Sequence, residues 1–183
     1  MSTPHTLSFR FAGFGGQGVL LMGMMVSYAG MEEGKHVTWL PSYGAEMRGG
    51  TANCTVVVSD KPIASPVIQN PDVAVVMNEP SLAKFEPLVR KGGTLFINSS
   101  LVTGKSNRSD IRVVYIPATD AANELGTTKV ANMVMLGAVV GDSGVVSVKT
   151  LHASLLPVMG MDKQKLEALN IAAMERGVAL LKG

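Results

Sequence analysis

A chain of 183 residues, 46% apolar and 16% charged, has the size and composition of one folded domain and excludes a disordered segment. Its one cysteine, Cys54, excludes an internal disulfide, a zinc ribbon and an iron–sulfur cluster ligated by this chain alone. A net charge of +2 is too mild to imply nucleic acid as a partner.

The first residues, Met1 to Thr6, are polar and broken by Pro4, without the pattern of an export signal. The longest apolar helical run, Val130 to Val140, falls short of the ~20 residues that a membrane span takes. The expectation is a cytoplasmic protein with no membrane partner, forming a single domain over residues 1–183.

The elements alternate along the chain. Leu7 to Ala12 alternates apolar and polar residues and predicts a strand before a glycine cluster. Val19 to Met31 predicts a buried helix, which Gly34 can end. His36 to Leu40 predicts a second strand, stopped by Pro41. Pro41 to Thr51 reads as a loop, and Asn53 to Ser59 as a third strand. Asp60 to Pro62 turns the chain, and Ile63-Ala64 is expected to return as a short hairpin arm.

The second half continues the alternation. Strands are expected at Asp72 to Met77, Thr94 to Asn98 and Arg112 to Ile116. Helices are expected at Pro80 to Arg90, at Asp120 to Leu125 with Thr119 as cap, and at Val130 to Val140. Two more follow: Lys149 to Leu156, ended at Pro157, and a last helix opened by Asp162. This order predicts an α/β fold: a mostly parallel, Rossmann-like sheet with helices on both faces.

Gly13-Phe-Gly15-Gly16-Gln17-Gly18 fits G-x-G-x-x-G and stands between a strand and a helix. Such a turn brings backbone N–H groups to a helix start, where an anion can bind. It can equally be a turn that only packs helix on sheet. A dinucleotide site would also need an acidic residue closing the second strand, for the ribose hydroxyls. That strand ends Val37-Thr-Trp-Leu-Pro41, with neither an acid nor a substituting arginine.

Phe11 to Gly18, together with Pro41-Ser-Tyr43-Gly44-Ala-Glu46-Met-Arg48-Gly49-Gly50, resembles the gamma subunit of 2-oxoacid:ferredoxin oxidoreductases. Asn132-Met-Val-Met-Leu-Gly137 is similar to a third signature of that family, and the likeness runs over nearly the whole chain. The order Tyr43 to Gly50 is nearest the 2-oxoglutarate type. The resemblance implies a subunit that is inactive alone, with no catalytic residue of its own. It implies alpha, beta and delta subunits as partners, with thiamine diphosphate and iron–sulfur clusters on those partners and ferredoxin reached indirectly. It also implies that this chain helps to close a coenzyme A site. The alternative is a stand-alone nucleotide-binding oxidoreductase.

The candidate ligand-binding residues are therefore Gly13, Gly15, Gly16, Gln17 and Gly18. The candidate interface or ligand loop is Tyr43, Gly44, Glu46, Arg48, Gly49 and Gly50. Tyr and Arg are the residue types that anchor interfaces, so Arg48 is expected to be partly exposed and to face a partner. If the strands before them are parallel, both motifs emerge at one sheet edge and form one surface. Cys54, with no basic residue or histidine beside it in sequence, reads as a buried thiol. His5, His36 and His152 lack ligand spacing, and no metal is expected. Asn132 reads as a helix cap or a helix–sheet hydrogen bond, and the methionines as core or interface filler.

Overall fold

The computed structural model describes residues 6–43 and 51–182. Six strands form one sheet in the order β2-β3-β1-β4-β5-β6. They are β1 (Thr6–Phe14), β2 (His36–Tyr43), β3 (Thr51–Ser59), β4 (Val73–Val76), β5 (Thr94–Asn98) and β6 (Arg112–Ile116). β1, β4, β5 and β6 run parallel, whereas β3 is antiparallel to both its neighbours, β1 and β2. The sheet is thus mostly parallel, as expected, with one reversed strand inserted between β1 and β2.

The register fixes which ends meet. Gly13 of β1 and Tyr43 of β2 both lie opposite Ala52 of β3. The ends of β1 and β2 therefore share one edge of the sheet. β2 continues through Pro41, beyond the stop expected there. Pro41 lies on an edge strand, where a missing N–H forfeits no second ladder. The hairpin arm at Ile63-Ala64 does not form, and residues 61–72 are irregular. They are held by side chains instead. Arg10 donates from Nη1 to Asn53 Oδ1 at 3.0 Å and from Nη2 to the Ile68 carbonyl at 2.8 Å. Its guanidinium also lies 5.5 Å from the Phe85 ring centre, and burial pulls its pKa below the ordinary value.

Helices cover both faces. The thicker layer holds α1 (Val19–Glu32), α3 (Ala118–Glu124), α4 (Ala131–Ser143), α5 (Val148–Ala153) and α7 (Glu167–Leu180) over Phe9, Phe11, Val56 and Phe96. The thinner layer is α2 (Glu79–Phe85), which packs Leu82 and Phe85 on Ala12, Val76 and Ile97. Gly23 lets α1 lie close to the sheet, since a β-carbon there would stand 2.5 Å from Cys54 Sγ. α4 is buried at every position from Ala131 to Val140, which is why its sequence is apolar all round. A β-carbon at Gly137 would lie 2.0 Å from the Met174 carbonyl oxygen of α7, and one at Gly177 would lie 1.9 Å from that of Val134. The two helices meet backbone to backbone at these glycines.

Several helix ends differ from expectation for local reasons. α2 is capped by Asn78, whose side chain accepts from Ser81 N–H at 2.9 Å, and it gives way to a 3-10 turn at Glu86–Leu88 containing Pro87. Thr119 lies inside α3, after Pro117 at the N-cap position, and does not cap it. The helix expected to end at Pro157 is two: α5, and α6 (Leu155–Met159), which contains that proline in its first turn, where no N–H is needed. The last segment begins as a 3-10 turn, Met161–Leu166, before α7. No helix among the described residues is long and apolar enough to cross a membrane.

Candidate functional site: the carboxyl edge of the sheet

The glycine loop is a tight turn. Gln17 N–H donates to the Phe14 carbonyl at 3.1 Å, and Gly16 takes φ 101°, a conformation that a β-carbon opposes. Gly18 then starts α1 with φ 73° and no side-chain cap. The loop is locked by Gln17. Its Oε1 accepts from Phe14 N–H at 2.7 Å and from Asn78 Nδ2 at 3.2 Å, and its Nε2 donates to the Met77 carbonyl at 3.1 Å. These bonds tie the end of β1 to the end of β4.

The glycines divide into two kinds. A β-carbon at Gly13 would stand 2.7 Å from Gln17 Oε1, so this glycine makes room for the lock. A β-carbon at Gly18 would stand 2.3 Å from Asn132 Nδ2, so this glycine makes room for the start of α4. At Gly16, by contrast, a β-carbon would meet nothing within 4 Å. The first and last glycines serve packing, and the Gly15-Gly16 backbone between them is the part that a ligand can approach. The expected anion-site residue Gln17 belongs largely to the packing as well.

Two hollows flank the loop. On the α1 side, a groove of about 530 Å³ is lined by Phe14, Leu20, Met24, Trp39 and Ala52, and is mostly apolar. On the other side, a crevice of about 260 Å³ opens between Gly16, Gln17, Met77, Thr119, Lys129 and Asn132. β1 leads through α1 toward β2 on one side, while β4 leads to β5 on the other. The crevice therefore lies at the topological switch point, where open α/β sheets place ligands.

Asn132 is 7% exposed, and its side chain makes no hydrogen bond among the described residues. Neither the expected cap nor a helix–sheet bond is present, since Val130 occupies the N-cap position of α4 and offers no side-chain bond. Thr119 Oγ1 accepts from Asn98 Nδ2 at 2.9 Å, and Asn98 Oδ1 is buried without a partner. Sequence reasoning missed Thr119, Thr128 and Lys129 as site residues. The signal was the polar run Gly126-Thr-Thr-Lys129 leading into an apolar helix, immediately before Asn132.

Tyr43 ends β2 at the same edge as the glycine loop. Gly44, Glu46, Arg48, Gly49 and Gly50 lie outside the described residues, and so does the expected exposure of Arg48. The dinucleotide alternative loses ground on geometry. β3 separates β2 from β1, so the end of β2 is two strand spacings, about 9–10 Å, from the glycine turn. Cys54 is buried, its Sγ donates to the Val19 carbonyl at 3.5 Å, and burial pushes its pKa up to about 12. It is an inert thiol. No group of three or more His, Cys, Asp or Glu residues suited to a metal occurs among the described residues.

Comparison with known proteins agrees with this architecture. Residues 8–180 match the family described as pyruvate ferredoxin/flavodoxin oxidoreductase. The chain is 38% identical to ketoisovalerate oxidoreductase subunit VorA of Methanothermobacter marburgensis, over 92% of this chain and 35% of that one. It thus spans about a third of that relative's length. It is 36% identical to 2-oxoglutarate synthase subunit KorC of the same organism, over 94% of this chain and 95% of that one. Among solved structures, a keto/oxoacid ferredoxin oxidoreductase gamma subunit from Geobacter sulfurreducens superposes with a TM-score of 0.83 at 29% identity, covering 97% of this chain and 99% of that one. The chain belongs to the pyruvate ferredoxin/flavodoxin oxidoreductase family and has the form of its gamma subunits.

Proposed function

We propose that this chain acts, as a single domain, as the gamma subunit of a multi-subunit 2-oxoacid:ferredoxin oxidoreductase, an enzyme that decarboxylates a 2-oxoacid oxidatively to an acyl-coenzyme A. The observation that carries the reading is end-to-end likeness to a gamma subunit in a chain whose one cysteine is buried and inert. Such a chain cannot ligate a cluster. In this reading thiamine diphosphate and the clusters belong to alpha, beta and delta partners and supply decarboxylation and electron transfer there. The chain is inactive by itself, and ferredoxin is reached only through those partners.

This chain's own contribution is the carboxyl edge of its sheet. The Gly15-Gly16 backbone offers a close approach to coenzyme A, and the loop of Tyr43, Gly44, Glu46, Arg48, Gly49 and Gly50 contacts the partner subunits or the ligand. We propose 2-oxoglutarate as the substrate, supported by the match to nearly the whole of a 2-oxoglutarate synthase subunit. The ketoisovalerate relative makes 3-methyl-2-oxobutanoate the competing substrate.

The test is reconstitution. The isolated chain should show no turnover with any 2-oxoacid, and activity should return when the partner subunits are added. Within that complex, Gly15→Val should raise the KM for coenzyme A more than that for the 2-oxoacid. Turnover by the purified chain alone would overturn the proposal, as would micromolar NAD binding by calorimetry.

A further inference from the structure

We infer that Asn78 is a positioning residue: acting through Gln17, it fixes the Gly15-Gly16 backbone in the form that coenzyme A meets. The inference rests on the coenzyme A reading above and adds to it a residue at the start of α2, 60 positions along the chain from the glycine loop.

The turn runs from Phe14 to Gln17, and Gln17 holds both backbone groups of Phe14. Its N–H donates to the Phe14 carbonyl at 3.1 Å, and its Oε1 accepts from Phe14 N–H at 2.7 Å. The first bond alone closes a turn of this kind. The second, with the bond from Nε2 to the Met77 carbonyl at 3.1 Å, fixes how the turn leaves β1. Met77 is itself bound to β1, its N–H donating to the Ala12 carbonyl at 2.9 Å. All this holding surrounds two glycines of which one, Gly16, is exposed and faces open space.

Asn78 decides which way the Gln17 amide points. It is 4% exposed, and both ends of its side chain are used. Ser81 N–H can only donate, so it takes Oδ1, at 2.9 Å. That leaves Nδ2 to donate to Gln17 Oε1, at 3.2 Å. Oε1 therefore meets two donors, and Nε2 meets a carbonyl oxygen. With the Gln17 amide reversed, all three contacts would set donor against donor or acceptor against acceptor. Capping α2 does not by itself call for an amide, since Asp and Ser cap about as well as Asn. The use peculiar to asparagine here is the donor that it turns toward the loop.

The experiment compares Asn78→Asp with wild type. The variant keeps a capping oxygen but sets a carboxylate oxygen against Gln17 Oε1. In the complex reconstituted with partner subunits, it should raise the KM for coenzyme A about five- to tenfold, the effect of about one hydrogen bond. The kcat and the KM for the 2-oxoacid should stay within about twofold. Asn78→Ser, which caps α2 but has no amide to reach Gln17, should act in the same direction. Lys84→Ala, exposed on the same helix, should change none of these. In the full chain alone, hydrogen exchange followed by NMR should show the Phe14 amide exchanging about tenfold faster in both Asn78 variants, with the amides of β4 and β5 unchanged. Phe14 exchange unaltered in both variants would overturn the inference, as would a fall in kcat with no rise in the KM for coenzyme A. If Gly15→Val raises that KM and neither Asn78 variant does, this inference alone fails. If none of the three raises it, the coenzyme A reading fails and takes the inference with it.

Discussion

Replacing Gly137 by alanine tests whether the contact between α4 and α7 sets the position of the site's main helix. The new β-carbon would lie 2.0 Å from the Met174 carbonyl oxygen, 2.6 Å from its carbonyl carbon and 2.7 Å from its Cα. All three are backbone atoms, so no rotamer change relieves the clash. The helices must separate by about 1 Å before the nearest contact reaches even the 3.0 Å that β-carbons essentially never undercut. Overpacking of a core costs about 1–3 kcal/mol, and a clash with rigid backbone belongs at the upper end. Alanine regains about 1 kcal/mol of helix propensity. The net loss should be about 2 kcal/mol, or about 4–8 °C in Tm for a chain of this size. Gly141→Ala is the internal control. It lies on the same helix, but its β-carbon would meet the Val178 side chain at 3.1 Å, which can give way. Gly141→Ala should therefore be neutral or slightly stabilising. Thermal and urea unfolding followed by circular dichroism read both variants. If Gly137→Ala melts at or above the wild type, as Gly141→Ala should, the close-packing argument is wrong.

Other substitutions probe the loop and the buried thiol. Gly18→Ala imposes a left-handed conformation on a β-carbon and displaces Asn132, so it should cost about 2 kcal/mol or more in urea unfolding. Gly34→Ala, at the same φ of 73° but in open space, should cost only the backbone strain of about 1 kcal/mol, so its urea midpoint should lie above that of Gly18→Ala. Gln17→Leu strands the Phe14 N–H, the Met77 carbonyl and the Asn78 amide, and should lower stability by about 2–3 kcal/mol in urea unfolding. Cys54 should resist a disulfide reagent at pH 8 until the chain is unfolded. Its folded pKa of about 12 lies above that of an unfolded thiol, near 8.5, so the unfolded chain loses its proton first. Stability should therefore fall as pH rises from about 8.5 towards 12, by up to about 1.4 kcal/mol per pH unit from this thiol. The fall between pH 8 and 10 should be smaller in Cys54→Ala.

Hydrophobic periodicity and glycine punctuation were enough to place the strands and most helices, because burial of one face leaves a period of 2 or 3.6 in the residues themselves. The glycine turn, the burial of Cys54 and the apolar run of α4 were legible for the same reason. The family was legible too, through motif resemblance at Phe11 to Gly18, Pro41 to Gly50 and Asn132 to Gly137. Strand direction was not legible. β3 alternates as any strand does, and nothing in Thr51 to Ser59 announces that it runs antiparallel between β1 and β2. That insertion moves the end of β2 away from the glycine turn and removes the geometry of a dinucleotide site.

The roles of single polar residues were equally hidden. Gln17 looked like a ligand contact, and only the approach of β4 turns it into a lock. Asn132 looked like a cap, and only the neighbouring loop leaves it buried and unpaired. Local pattern records which residues leave water. Which polar groups then meet, and which remain without a partner at the edge of the sheet, depends on segments 60 or more residues apart and is settled only when the chain packs.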